Sequence, residues 1–174
     1  MTPSAIGRAA LWLALAAWTA GFVTHPLDGV YTANSFLHLV GLPFHEAGHV
    51  LLSPFGDLIA ALGGSVGQVT VPLVCAGVFL WQTDDPFAAA VALWWAGQNL
   101  VDVASYIADA RALRLVLVGG HTGAEVYGHD WETILAHLGW LHHDLDIARV
   151  VFGLGCLTMA WALVWGAVAL WQRR

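Results

Sequence analysis

Long apolar segments separated by short polar stretches make up most of this chain, a pattern typical of a helical membrane protein. The last of these segments is long enough to cross a bilayer with some tilt. The pattern predicts an all-α integral membrane protein with about five transmembrane helices in a single membrane domain, residues 1–174. The apolar segments cover residues 6–23, 36–53, 71–81, 87–108 and 147–171.

A glycine-rich stretch at residues 63–67 interrupts this pattern after the second apolar segment. The alternating residues 68–71 that follow it have the chemistry of a strand. Irregular backbone survives in lipid only where protein or a water-filled cavity satisfies its polar groups. We therefore expect either a re-entrant element that lines a cavity or a tight turn between two helices.

Residues 111–130 are interpreted as a glycine-containing loop, and Asp130 is expected to cap the amphipathic helix that follows. Apolar residues recur in it at helical spacing, which predicts one apolar face. Such a helix either lies at the membrane interface or packs over a site in the bundle. The domain then consists of a core at about residues 36–110, a loop with the amphipathic helix at 111–146, and a last transmembrane helix at 147–172. The apolar face consists of Trp131, Ile134, Leu135, Leu138 and Leu141.

Composition strengthens the membrane interpretation and excludes one class of partner. The chain is 59% hydrophobic and 10% charged, whereas soluble domains are about 45–50% apolar and about 25% charged. Its net charge is −6 and it contains no lysine, which argues against a nucleic-acid-binding surface. The expected partners are the lipid bilayer and a membrane protein or peptide substrate, with the oligomeric state left open. Arginine positions favour a cytoplasmic N-terminus, because four arginines then lie inside and two outside.

An H-E-x-x-H motif, His45-Glu46-Ala47-Gly48-His49, lies inside the second apolar segment. Two histidines four residues apart share one helix face, so both imidazoles can reach one metal ion. Zinc is the usual occupant, and the glutamate is then placed to act on water as a general base. Ionisable residues at bilayer depth are functional by default because burying them is costly. The motif predicts one Zn²⁺ per chain, held by His45 and His49, with Glu46 as the catalytic residue.

A catalytic zinc site usually has a third protein ligand and one open position. Asp102 is the favoured candidate, because a carboxylate inside the fourth apolar segment needs a compensating cation. If that segment and the second both run inward from one face, His45 lies roughly 15 Å, His49 roughly 20 Å and Asp102 roughly 24 Å deep. Asp109, seven residues beyond Asp102 on nearly the same face, is the main alternative ligand.

Four further polar residues could support or replace these ligands. His129 and His121 could reach the metal from the loop, although both also suit solvated loop positions. His38 lies seven residues before the motif on the same helix face, where it could support a ligand or simply be packed. Asn99, one turn before the candidate aspartate, could orient a ligand, bind substrate backbone or make an interhelical hydrogen bond.

The motif and its surroundings resemble the site-2 protease family of intramembrane zinc metalloproteases. The similarity lies in Phe44–His49 within an apolar helix and in the glycine-rich, strand-like residues 63–71 that follow. It is good over residues 36–72, extends to about residue 110 and is absent beyond. In that family a later membrane helix supplies an aspartate ligand within Leu-Asp-Gly, whereas here valine follows Asp102.

The resemblance implies that His45, His49 and Asp102 bind zinc and that Glu46 activates water. The sequence therefore predicts a zinc metalloendopeptidase that hydrolyses peptide bonds of membrane-spanning substrates, located in a bacterial inner membrane. One alternative is a non-proteolytic metal-binding membrane protein that handles a metal or acts as a chaperone for another membrane protein. A membrane scaffold whose histidines bind nothing is the remaining alternative.

Overall fold

The computed structural model describes residues 3–172, which form helices joined by turns and one long loop. Within this range the all-helical prediction is confirmed, and the nearest approach to a strand is an isolated bridge between Val116 and Thr122. Short 3-10 turns lie at Ser53–Phe55 and Leu141–His143. The α-helices of the described chain are α1 (Pro3–Thr24), α2 (Gly29–Ala33), α3 (Phe36–Leu52), α4 (Asp57–Trp81), α5 (Pro86–Ala108), α6 (Asp130–His137) and α7 (Asp144–Gln172).

Three helical segments of the described chain are long and apolar enough to cross a membrane. They are Ala5–Thr24, Asp57–Trp81 and Leu141–Gln172, whereas the sequence pattern indicated about five. The helix that carries the motif, α3, has only 17 residues. The second expected transmembrane helix that is missing from these three is α5, which buries the polar residues Gln98, Asn99, Asp102 and Ser105. Because α5 packs against both α4 and α7, protein surrounds its polar positions, and the helix needs less apolar sequence than a lipid-exposed one.

The glycine-rich stretch is part of one continuous helix, because α4 runs through residues 63–67 without a break. The expected re-entrant element and the alternative tight turn are therefore both wrong. These glycines serve close packing against α3 instead. Gly63 and Gly48 face each other so closely that a Cβ on either would collide with the carbonyl group of the other. Small residues four apart let two helix backbones meet, and Gly67 lies in the same way against the carbonyl oxygen of Phe44.

A second close backbone contact joins α5 to α7. A Cβ on Gly97 would lie 2.9 Å from the carbonyl oxygen of Gly155, and a Cβ on Gly155 would lie 2.8 Å from that of Gly97. Beside this contact Trp94 is buried, and its Nε1 donates a hydrogen bond to Thr19 Oγ1 at 2.7 Å. That bond ties α1 to the same core. Packing against α1 and α7 therefore fixes the position of α5 and of the side chains that it carries.

The amphipathic helix α6 packs onto the bundle. Ile134 and Leu135 of its expected apolar face are buried. Trp131 donates from Nε1 to Ser65 Oγ of α4 at 3.1 Å. The helix ends at His137, so Leu138 lies beyond it and is exposed. Of the two placements expected for this helix, packing over the bundle describes α6 better than a free position at the membrane interface.

Replacing Gly63 by alanine is expected to destabilise the protein, because the new Cβ would collide with the backbone of α3. Overpacking of this kind costs about 1–3 kcal/mol, and thermal unfolding of the detergent-solubilised protein measures it. Gly77→Ala in the same helix is the matched control, since its Cβ would make an ordinary 3.6 Å contact with Trp81. The control is expected to be neutral or stabilised by up to about 1 kcal/mol. Equal stability of the two variants would contradict the packing explanation.

Candidate metal centre

The two motif histidines of α3 face α4, and each imidazole is oriented by an oxygen atom behind it. His45 Nδ1 lies 3.1 Å from Gln68 Oε1, and His49 Nδ1 lies 2.8 Å from the carbonyl oxygen of Ala60. An oxygen acceptor at Nδ1 favours the tautomer that carries its proton there. The lone pair of each Nε2 is then free for a ligand, which is the arrangement that metal-binding histidines adopt.

Asp130 supplies a third donor opposite these two nitrogens. Its Oδ2 lies 3.1 Å from His45 Nε2 and 3.3 Å from His49 Nε2. Zinc with tetrahedral bonds of 2.0–2.1 Å separates its ligands by about 3.3 Å. The ligand atoms of His45, His49 and Asp130 all lie within 4.8 Å of one another, and among the described residues this is the group that could hold a metal ion.

Gly64 of α4 leaves the space in front of the histidines open. A Cβ on this residue would collide with His45 Nε2 and would lie 2.6 Å from His49 Nε2. A side chain at this position would therefore fill the volume toward which both nitrogens point. The absent side chain, the oriented imidazoles and the nearby carboxylate together fit a bound metal ion. The metal-binding part of the prediction is thus supported at the level of a donor group, with the identity of the metal open.

Asp102, the third ligand expected from the sequence, lies outside this donor group. Its carboxylate accepts hydrogen bonds from His38 Nδ1 at 2.9 Å and from Gln68 Nε2 at 2.7 Å. Asp102 therefore stands behind Gln68, one residue removed from His45. Depth along a helix does not determine how the helix is rotated about its axis, so the depth argument could not decide which way the Asp102 carboxylate points.

Asp109 and His129, the alternative ligands, together anchor the long loop. The Asp109 carboxylate accepts from the backbone N–H groups of Arg114 and Leu115 at 2.9 Å each, and His129 Nε2 lies 3.4 Å from it. Burial alone would raise the pKa of Asp109, but these partners lower it below its usual value. His129 is fully buried and caps α6 by accepting from the N–H of Glu132. Neither residue belongs to the donor group.

The remaining candidates divide between the interior and the surface. Asn99 is buried and bonds Gln68 twice, through its Oδ1 at 3.2 Å and its Nδ2 at 2.9 Å. His38 bonds Asp102 and is connected to His45 only through Asp102 and Gln68. His121 lies exposed in the loop, with Nδ1 4.0 Å from Glu125.

Glu46 is exposed and lines the same cavity as the donor group. Its carboxylate makes no hydrogen bond with any described residue. The cavity has a volume of about 430 Å³. Apolar side chains form much of its wall, chiefly Leu42, Val103, Leu115, Val116, Leu117 and Val118.

Sequence reasoning missed Asp130 as a donor because it assigned this aspartate the role of a helix cap. In the structure His129 is the cap and Asp130 is the first residue of α6, which frees its carboxylate. The signal was available in part. An acidic residue in the first turn of a helix expected to pack over the motif could reach the histidines, but the packing itself was not readable from the sequence.

Asp130→Ala is expected to lower zinc affinity by at least about 100-fold, since even changes behind a ligand cost 10–100-fold. Asp146→Asn changes an exposed carboxylate of α7 that pairs with Arg149, so it leaves the donor group and the loop intact and is expected to bind zinc nearly as the wild type does. Metal titration of the detergent-purified variants measures both affinities. If Asp102→Ala lost the metal and Asp130→Ala kept it, the ligand set implied by the family resemblance would replace the one described here.

Gly64→Ala is expected to abolish zinc binding while all three donor residues remain. The physical reason is that its Cβ would occupy the volume between the two Nε2 atoms. Metal content after purification, with Gly77→Ala as the control in the same helix, measures the effect. A Gly64→Ala protein that binds zinc with wild-type affinity would show that the ion does not sit between these nitrogens.

Comparison with known proteins returns no match for this chain among family models, curated proteins or solved structures. This result neither supports nor contradicts the resemblance to the site-2 protease family, which stays a hypothesis based on the motif and the residues after it. What the chain does must therefore be inferred from the donor geometry and from the cavity beside it.

Proposed function

We propose that the protein is a zinc-dependent intramembrane endopeptidase. One observation carries the proposal: His45, His49 and Asp130 bring three donor atoms together at the wall of a cavity that also holds the free carboxylate of Glu46. Three ligands leave a further coordination position open, which distinguishes catalytic from structural zinc sites. Three helices of membrane-spanning length and apolarity support a location of this centre in a membrane protein.

The side chains of the centre have separate roles in this proposal. His45, His49 and Asp130 hold the ion, and Gln68 and Ala60 keep the two imidazoles in the binding orientation. A zinc ion bound there supplies a Lewis acid that polarises a carbonyl group and acidifies water. Glu46 takes the proton from the attacking water and passes it to the leaving amine. Because its carboxylate is unpaired among the described residues, it can rotate between these two positions.

The proposed substrate is a membrane-spanning peptide that unwinds beside the centre. A hydrolase must expose the scissile carbonyl, and a helical carbonyl is occupied by its own hydrogen bond. The apolar wall formed by residues 115–118 and Val103 offers contacts to apolar side chains of such a segment. The cavity is too small for a folded partner, which favours an extended stretch of chain.

A non-proteolytic metal-binding protein remains the alternative candidate, and it shares the donor group with the peptidase. It differs in one testable respect, because it needs no general base. Zinc binding that depends on His45, His49 and Asp130, together with no cleavage of any membrane-spanning substrate in proteoliposomes, would favour it.

Glu46→Gln is expected to keep zinc at wild-type affinity and to reduce peptide hydrolysis by about 100-fold or more. Glutamine has nearly the same shape as glutamate but cannot accept the proton. Cleavage of a panel of membrane-spanning peptides in proteoliposomes, read by mass spectrometry, gives the activity, and metal analysis of the same samples gives the occupancy. Full activity in this variant would exclude Glu46 as the base, and loss of zinc would make it a ligand.

A further inference from the structure

Polar side chains between α3, α4 and α5, all of them buried except the half-buried His38, form one connected chain of hydrogen bonds that ends at His45. His38 bonds Asp102, Asp102 bonds Gln68, and Gln68 bonds His45. Asn99 joins from α5. Gln68, Asn99 and Asp102 are 4%, 0% and 7% exposed, so each would be costly to bury without these partners.

The direction of every bond in this chain follows from Asp102. An ionised carboxylate can only accept, so His38 Nδ1 and Gln68 Nε2 must both donate to it. Gln68 Nε2 also faces Asn99 Oδ1, and the Nδ2 of Asn99 is committed to the backbone carbonyl of Gln68. With its nitrogen fixed in this way, Gln68 must turn Oε1 toward His45. Oε1 can only accept, and the proton of His45 is therefore held at Nδ1.

We propose that Gln68 is a positioning residue of the metal centre and that Asp102 is the buried charge that sets its orientation. This inference rests on the proposed metal site and explains which residues behind the ligands set its affinity for zinc. Outer partners of this kind fix the tautomer of a ligating histidine and make it a better donor. His38 is half-buried, lines the cavity and donates a hydrogen bond to the Asp102 carboxylate.

The same geometry explains a buried aspartate that touches no ligand directly. The Asp102 carboxylate receives two side-chain hydrogen bonds, one of which leads through Gln68 to His45. The negative charge of Asp102 polarises Gln68 and strengthens the hydrogen bond that His45 Nδ1–H donates to Gln68 Oε1. His45 Nε2 then donates its lone pair to a metal ion more strongly. Asp102 thus acts on the metal through another residue and is not itself expected to coordinate.

Two single variants and their combination test the proposal. Gln68→Glu alone puts two carboxylates within hydrogen-bonding distance, and their repulsion is expected to lower zinc affinity about 10-fold or more. Asp102→Asn alone removes the charge and is expected to lower affinity by a few-fold. In the double variant, the introduced asparagine can donate to the introduced glutamate and accept from His38, so affinity should recover above that of Gln68→Glu. If Gln68 served packing alone, Asp102→Asn would not lower zinc affinity in the wild-type background and raise it in the Gln68→Glu background.

A second readout needs no metal. Asp130 Oδ2 lies 3.1 Å from His45 Nε2 and would favour a proton there when no metal is bound, so the measurement is made in the Asp130→Ala background. Nitrogen-15 NMR of this histidine-labelled, metal-free protein is expected to show His45 protonated at Nδ1, to keep this preference when Gln98→Leu is added and to lose it when Gln68→Leu is added. Gln98 is the matched control because it is a fully buried glutamine whose side-chain N and O have no partner in the described chain. Zinc affinity is expected to fall 10–100-fold in Gln68→Leu and to stay unchanged in Gln98→Leu.

The outcomes separate this inference from the proposed function. An unchanged tautomer in Gln68→Leu, or equal zinc affinities for Gln68→Leu and Gln98→Leu, would overturn the positioning role. Absence of recovery in the double variant would overturn the role of the Asp102 charge. Absence of peptide cleavage by a wild-type protein that binds zinc would instead overturn the peptidase proposal and leave the hydrogen-bond chain standing.

Discussion

Direct backbone contact between α3 and α4 is the constraint on which the candidate centre depends. Gly48 and Gly63 leave no room for a side chain between the two helices, and this closeness brings the partners of both imidazoles within reach. Ala60 then offers its carbonyl to His49, and Gln68 offers its amide oxygen to His45. A larger residue in this contact would separate the helices and remove both hydrogen bonds at once. The same packing therefore stabilises the fold and orients the ligands.

Burial of Asp102, Gln68 and Asn99 in a largely apolar bundle is tolerated because these three side chains satisfy one another. Asp102, Gln68 and Asn99 come from two helices and pair almost completely. A half-satisfied network would be worse than an apolar core, so these residues have little freedom to move. The side of the bundle that carries these residues is consequently rigid. The loop at residues 115–118 also lines the cavity and contributes apolar side chains to its wall.

The third donor reaches the centre from outside the helical core. Asp109 holds the start of the long loop through two backbone amides, and His129 holds its end by capping α6. The N–H of Asp130 donates to Tyr106 Oη at 3.1 Å, which fixes this first residue of α6 against α5. Fixing the loop at both ends allows a distant part of the sequence to deliver a carboxylate to two histidines. No local sequence pattern near the motif indicates that Asp130 lies close to the two histidines.

The sequence by itself determined the helical class, the apolar character and the pair of histidines, because each depends on local spacing along one helix. It also marked Glu46, since the motif fixes its position relative to both histidines. Tertiary structure decided the rest. Glycines that resembled a break proved to be a helix contact, because only a neighbouring backbone reveals why a side chain is absent. Likewise, Asp130 rather than Asp102 faces the histidines, because that choice depends on how helices rotate and pack, which depth along a helix does not specify.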